Sequence, residues 1–412
     1  MAATIEPFRP ADAAEFLQAM GVSFLMEPIA PGALPARVRH WLAHADPTRT
    51  RAAYDGGRIV GTHRTMPLEL TLPGGATVPA DAVAAVTVSP THRRQGLLTR
   101  MMTEGLRGAV DRGEPVSALY ASEWPIYGRF GFGPAVQAAT WEVRKDRAAA
   151  QPAPTGIELV TPAELAGLAR PVWDRARLQR PGGMSRPDYR WALDFGLAAE
   201  EDGAPPLWKG YAAVHRDAAG TVDGYLRWHA EDKWDNWRSD AVLHVDELIS
   251  TTDEAYRQLW WFTLAIDLIA TVRAEDRRID EPLPHLPGIG RAATQVEHHD
   301  GLWVRVLDVP AVLGCRSYGV AGRVVLEVVD PSGFAAGTYA LEAGPDGATC
   351  KPTGESAELT LPVTALGSAC LGGYRLRALA EVGLLDEHRP GALELADRLL
   401  STDLVPYCAL HF

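Results

Sequence analysis

The spacing of apolar residues changes period once in a way that predicts a strand feeding a helix. From Asp81, the positions Val83, Ala85 and Val86-Thr87-Val88 suit a strand, and the chain then breaks at Ser89-Pro90. From Leu97, the residues Leu97, Leu98, Met101, Met102, Leu106, Ala109 and Val110 fall at helical spacing. Between them stand Arg93, Arg94, Gln95 and Gly96, expected to form the first turn of the helix. Glycine weakens a helix, and two cations at its start oppose the helix dipole. The same residues let a phosphate approach unpaired backbone N–H groups at the positive end of the helix. The pattern therefore predicts a pyrophosphate site. It lacks both the Lys-Ser/Thr of a Walker loop and the three glycines of a dinucleotide fingerprint.

The same patterning divides the chain into three units of mixed α/β (α+β) class, at 1–150, 151–298 and 299–412. In the first, a strand at 4–8 precedes a helix at 13–20 with Asp12 as N-cap and a helix at 36–45. A hairpin around Asp55-Gly56-Gly57 and a strand pair around Pro73-Gly74-Gly75 follow, then strands at 116–120 and 135–143. An Ala/Pro-rich stretch at 146–154 reads as a linker. The second unit repeats the order: hairpin, strand at 241–248, helix at 253–272. Where the first unit has Arg-Arg-Gln-Gly, the second has a turn ending in Asp253-Glu254, whose carboxylates satisfy the helix dipole and repel a pyrophosphate. The third unit, from Gly301, opens with a strand at 302–307 and ends with Val405, Tyr407, Cys408, Leu410 and Phe412 in an expected final strand.

Composition narrows the function. With 412 residues, 47% hydrophobic and 22% charged, the chain can bury a sizeable core. A net charge of −12 argues against nucleic acid and suits cationic partners, although acidity also serves solubility. The four cysteines form no C-x-x-C pair, so no metal or redox motif is expected. The first eighteen residues lack a basic region followed by an apolar one, and no apolar run is long enough for a bilayer. A cytoplasmic protein without a membrane role is the expectation.

Arg93-x-x-Gly96-x-Leu98, directly after the Val86-Thr87-Val88 strand end, resembles the acetyl-CoA loop of GNAT N-acetyltransferases, though Leu98 departs from the last position of that pattern. Tyr127-x-x-x-Gly131-Phe132, after the strand at 116–120 and Ser122-Glu123, resembles the tyrosine element of the same enzymes. Two tandem GNAT-like units, the second degenerate, followed by an α+β tail unit are similar to the Eis family of actinobacterial acetyltransferases. That resemblance implies a sterol-carrier-protein-like third unit, a homohexamer, acetyl-CoA as co-substrate without a metal, and multi-amine acceptors such as aminoglycosides.

It also implies roles. Backbone groups of Val86, Thr87 and Val88 would pair with the pantetheine arm. Arg93, Arg94, Gln95, Gly96, Leu97, Leu98 and Thr99 would hold the pyrophosphate, and Ser122 and Glu123 would stand at the coenzyme end of the strand. Tyr127 would be general acid for the leaving thiolate and the α-carboxylate of Phe412 general base. From the residues alone, Tyr127 also reads as a packed aromatic and Glu123 as a helix cap. A polyamine or protein-lysine acetyltransferase, or a lipid carrier acting through the third unit, stays open. Acidic residues 231–247 mixed with Trp228, Trp234 and Trp237 read either as a cationic groove or as a solvated face over packed rings. His298-His299 reads as a loop pair rather than a metal site.

Overall fold

The computed structural model describes residues 3–199, 206 and 208–412. The chain begins with β1 (Thr4–Pro7), α1 (Ala13–Ser23), α2 (Leu34–His44), β2 (Thr50–Asp55), β3 (Arg58–Thr71) and β4 (Thr77–Val88). Then come α3 (Leu97–Asp111), β5 (Val116–Tyr120), the one-turn α4 (Trp124–Tyr127) and β6 (Gly133–Pro134). The second unit comprises β7 (Gln137–Arg144), β8 (Ile157–Val160), α5 (Pro162–Arg177), α6 (Asp188–Asp194), β9 (Tyr211–Arg216) and β10 (Val222–Glu231). A small hairpin, β11 (Trp234–Asp235) and β12 (Arg238–Ser239), leads to β13 (Ala241–Ser250), α7 (Asp253–Ala265), β14 (Ile269–Arg277) and β15 (Ala293–Asp300). The remainder is β16 (Leu302–Val306), α8 (Val309–Cys315), β17 (Gly322–Val329), β18 (Gly337–Gly344), β19 (Gly347–Pro352) and β20 (Leu359–Pro362). It closes with α9 (Val363–Ala369), α10 (Leu376–Glu381), β21 (Asp386–Glu387) and α11 (Ala392–Leu400).

Two seven-stranded sheets carry the tandem units, in the orders β1-β2-β3-β4-β5-β16-β6 and β15-β7-β14-β13-β10-β9-β8. The units exchange strands. Gln137–Arg144, expected to close the first unit, pairs instead with β14 and β15 in the second sheet. Leu302–Val306, expected to open the third unit, lies antiparallel to β5 in the first. The boundaries expected near 150 and 299 therefore do not mark where the sheets divide. Alternation along a strand identifies its buried face but not its neighbour, so the exchange follows from long-range pairing.

The third unit's five-stranded sheet runs β19-β18-β17-β20-β21. Its helix α9 covers the first sheet so closely that a Cβ on Gly367 would stand 2.3 Å from the Val304 carbonyl oxygen. One hydrophobic cluster joins Leu70, Ala118 and Val304 of the first sheet to Val172, Tyr225, Leu326 and Leu366.

Other expectations change in detail. Asp12 precedes α1, but its carboxylate accepts from Arg9 and from the Tyr54 hydroxyl rather than capping the helix. The helix expected at 253–272 stops at Ala265, because Leu268 takes a left-handed conformation (φ 63°) and the β-branched run after it forms β14. The final strand does not form. Residues 401–412 bury Pro406, Cys408 and Leu410 in strand-like alternation, yet no neighbouring strand pairs with them. His298 and His299 lie in β15, not in a loop, and His299 Nε2 stands 3.1 Å from Asp276.

Candidate active site

The site forms where β4 leaves β5. The two strands run parallel over only three partner pairs, Ala80–Val116 to Ala82–Ala118. At Ala85 (φ 52°) β4 bulges, and its register with β3 slips between Thr62 and Arg64. Thr62 Oγ1 donates to the Ala85 carbonyl at 2.7 Å and sits 2.6 Å from Thr87 Oγ1, which fixes the bulge. Beyond it Val86, Thr87 and Val88 stay near β3, while their β5-facing edge has no strand partner. That edge can hydrogen-bond an extended ligand arm as a further strand would.

The chain then turns through Pro90–His92, where His92 Nε2 contacts Asp55 at 3.1 Å and Nδ1 contacts Thr91 Oγ1 at 2.8 Å. Gly96 is the N-cap of α3 with φ 76°, not a residue of its first turn, and Arg94 is also left-handed (φ 62°). Neither a side-chain cap nor an acidic first-turn residue occupies this end of α3. Its leading N–H groups therefore keep their capacity for an anion.

A cleft of about 770 Å³ runs from the β4 edge across this helix end. Val86, Thr87, Val88, Arg93, Arg94, Gly96, Leu97, Leu98, Thr99, Ser122, Glu123 and Tyr127 all line it; Gln95 does not. Tyr127 ends α4, buried among Val83, Met102, Leu106, Phe130 and Phe132. Burial raises its phenol pKa, against the lowering effect of a hydrogen bond with Ser122, so it remains protonated at neutral pH. The Tyr127 ring packs in the core and also lines the cleft. The turn behind it needs Gly131 (φ 85°), where a Cβ would stand 2.5 Å from Nε of the buried Arg305.

Phe412 is absent from that lining, and its ring contact is with Tyr120 at the end of β5. Tyr120, the last residue of β5, donates from its hydroxyl to the Leu410 carbonyl at 2.6 Å. Its ring stacks on His411 (4.0 Å between centroids) and meets the Phe412 ring edge-on at 5.3 Å. Phe412 is thereby held at the carboxyl end of β5, two residues before Ser122. Sequence reasoning missed Tyr120, and it missed Phe24 and Leu25, exposed residues that also line the cleft. Their signal was an apolar Phe-Leu-Met run continuing past α1 at no helical period.

The second unit shows what such a cleft becomes without a phosphate site. Its strands β13 and β14 also run parallel and part after Val245–Ala274. Only two residues separate β13 from α7, and Thr252 caps that helix by accepting from the Ala255 N–H at 3.1 Å. Arg277 Nη1 donates to the Leu248 carbonyl at 2.8 Å, occupying the edge that β4 leaves open. The acidic and tryptophan residues between 228 and 247 divide between two cavities, Trp228, Asp232 and Trp234 lining one and Asp246 and Glu247 the other. Trp228 is buried, Trp234 and Trp237 are exposed, and Glu247 is buried beside Arg186 and Arg227. Among the described residues, no group of three or more His, Cys, Asp or Glu side chains is placed to hold a metal ion. No helix of the described residues is long and apolar enough to cross a membrane.

A strand splay beside an open helix N-terminus is the coenzyme-binding geometry of acyl-CoA transferases of the GNAT class, and comparison with known proteins agrees. Residues 4–135 and 182–306 each match an acetyltransferase (GNAT) domain, and 309–409 match a sterol carrier protein domain. An N-acetyltransferase of Streptomyces avermitilis is 39% identical over 411 residues, covering 98% of this chain and 97% of its own. The N-acetyltransferase Eis of Mycobacterium tuberculosis is 36% identical over 371 residues, 87% of each chain. The crystal structure of Eis1 from Mycobacterium abscessus superposes over the whole of both chains with a TM-score of 0.85 at 31% identity. The chain belongs to the Eis family of GNAT N-acetyltransferases.

Proposed function

We propose that this enzyme transfers the acetyl group of acetyl-CoA to an amine of a cationic, multi-amine small molecule, of which aminoglycosides are one class. One observation carries the reading: the open β4 edge, the uncapped end of α3 and the Tyr127 side chain line a single cleft. Pantetheine pairs with Val86 to Val88, and the pyrophosphate takes the N–H groups from Gly96 to Thr99 with Arg93 and Arg94 beside it. An N–H of β4 polarises the thioester carbonyl. The neutral amine attacks that carbon, forming the C–N bond. Collapse of the tetrahedral intermediate breaks the C–S bond, and the departing sulfur takes the Tyr127 proton. The Phe412 carboxylate accepts the proton that the amine nitrogen loses, directly or through a water. Proton return to Tyr127 completes the cycle, leaving CoA thiol and amide.

The acidic balance of the protein as a whole favours polycationic acceptors. The test is thiol release from acetyl-CoA with aminoglycosides, polyamines and a lysine peptide as acceptors. Release with aminoglycosides supports the reading, release with polyamines or peptide alone replaces the acceptor class, and release with none refutes it. Hexameric assembly is proposed on family grounds, and its measurement is mass in solution.

A further inference from the structure

After α11 the chain runs twelve residues without regular structure, yet it ends pinned rather than frayed. An extended segment with no ladder partner must have its backbone groups satisfied one at a time. The partners come from three places. Arg180 Nη1 donates to the Val405 carbonyl at 2.9 Å, and the Tyr407 N–H donates to the Pro181 carbonyl at 2.8 Å. From the first sheet, Tyr120 donates to Leu410 and stacks on His411. From β14, Asp276 meets His411 Nε2 at 3.4 Å while holding His299. Asp276 has φ 50°, a conformation an aspartate adopts at a cost.

The tail also crosses the second unit's splay. Two cavities there, of about 310 and 390 Å³, share Arg277, Tyr407 and Ala409 as lining, so the tail divides the space. The degenerate unit holds a piece of its own chain between the strands whose counterparts border the coenzyme cleft in the first unit.

We propose that Tyr120 and Asp276 are positioning residues, forming a latch that seats the tail in the second unit's splay and sets the Phe412 carboxylate beside the end of β5. This rests on the reading of that carboxylate as base. Tyr120 fixes the backbone two residues before it, and Asp276 fixes the side chain one residue before it. Neither lines the coenzyme cleft.

The test uses Tyr120→Phe, which keeps the ring and removes the donor, in the full-length enzyme. The expected result is a fall in kcat of about tenfold with KM for acetyl-CoA within about twofold, since displacement of a reacting group lowers turnover rather than coenzyme binding. An unchanged kcat, or a loss confined to KM for acetyl-CoA, overturns the latch. If Tyr120→Phe folds poorly, the cycle of Asp276→Asn and His411→Ala decides: Asp276→Asn lowers kcat alone and adds nothing once His411 is alanine. Additive losses overturn the assignment of Asp276. A Gly-Gly extension after Phe412 separates the two ideas. If the extended enzyme keeps full kcat, the base reading falls; if it is inactive while Tyr120→Phe turns over normally, only the latch falls.

Discussion

Gly96 and Gly131 adopt the same left-handed conformation for different reasons, and substituting each with alanine separates a ligand's need from the fold's. At Gly96 (φ 76°) a Cβ meets no atom of the protein within 4 Å. Gly96→Ala therefore costs the backbone penalty alone, about 1–2 kcal/mol. At Gly131 (φ 85°) a Cβ would lie 2.5 Å from Nε, 2.8 Å from Cζ and 2.9 Å from Cδ of Arg305. That guanidinium is fully buried, paired with Asp330 and bonded to the Val306 carbonyl at 2.8 Å, so it has no solvent to swing into. Displacing it breaks a buried ion pair at about 3–5 kcal/mol. Added to the backbone term, Gly131→Ala costs about 4–7 kcal/mol. Thermal and denaturant unfolding of the two variants should differ accordingly. Gly96→Ala should remain folded yet bind acetyl-CoA at least about tenfold more weakly, because its methyl group enters space meant for the ligand. Equal destabilisation of both variants would refute the role given to Arg305. Undiminished coenzyme affinity in Gly96→Ala would refute the phosphate site.

Tyr127→Phe should lower kcat by about 10²-fold or more, the usual worth of general acid catalysis, with KM for acetyl-CoA nearly unchanged. Because burial raises the Tyr127 pKa, the wild-type kcat profile should show no tyrosine limb below pH 10. Calorimetric titration should give one acetyl-CoA per chain, since Thr252 and Arg277 fill the equivalent positions of the second unit; two would contradict that contrast. Asp81 lies buried between Arg49 and Arg112, and burial pushes its carboxyl up to about 6. Its folded value lies above the ordinary one, so its stabilising contribution is present below about pH 4 and lost as pH rises to about 6. Asp81→Asn should remove that slope from the stability curve; an identical slope would show that another group titrates there.

The site was legible in the sequence where chemistry is local. The change of period at Ser89-Pro90, the arginines and Gly96, and the Tyr127 element all lie within fifty residues, and the fold brings them to one cleft. Gly96 was misplaced by one structural step, in the first turn rather than at the N-cap, because spacing does not report the sign of φ. The parts that stayed hidden depend on distant partners. Val405 to Phe412 alternate as a strand would, but the Arg180, Pro181 and Tyr120 contacts that replace a ladder leave no pattern. Leu302–Val306 is buried throughout, with Arg305 the one charged residue among four apolar ones, yet nothing in it names β5 as its neighbour.

The exchange of β7 and β16 has a consequence for biosynthesis. A polypeptide leaves the ribosome at about 5–20 residues per second, so β16 emerges on the order of ten seconds or more after β5. Until then the catalytic sheet lacks an inner strand, and a nascent chain holding only the first unit presents an unfilled β5 edge. The second unit must be synthesised before the first can close. Closure of the first sheet is thereby tied to synthesis of β16, and a fragment ending at the Ala/Pro-rich linker should neither fold cleanly nor acetylate.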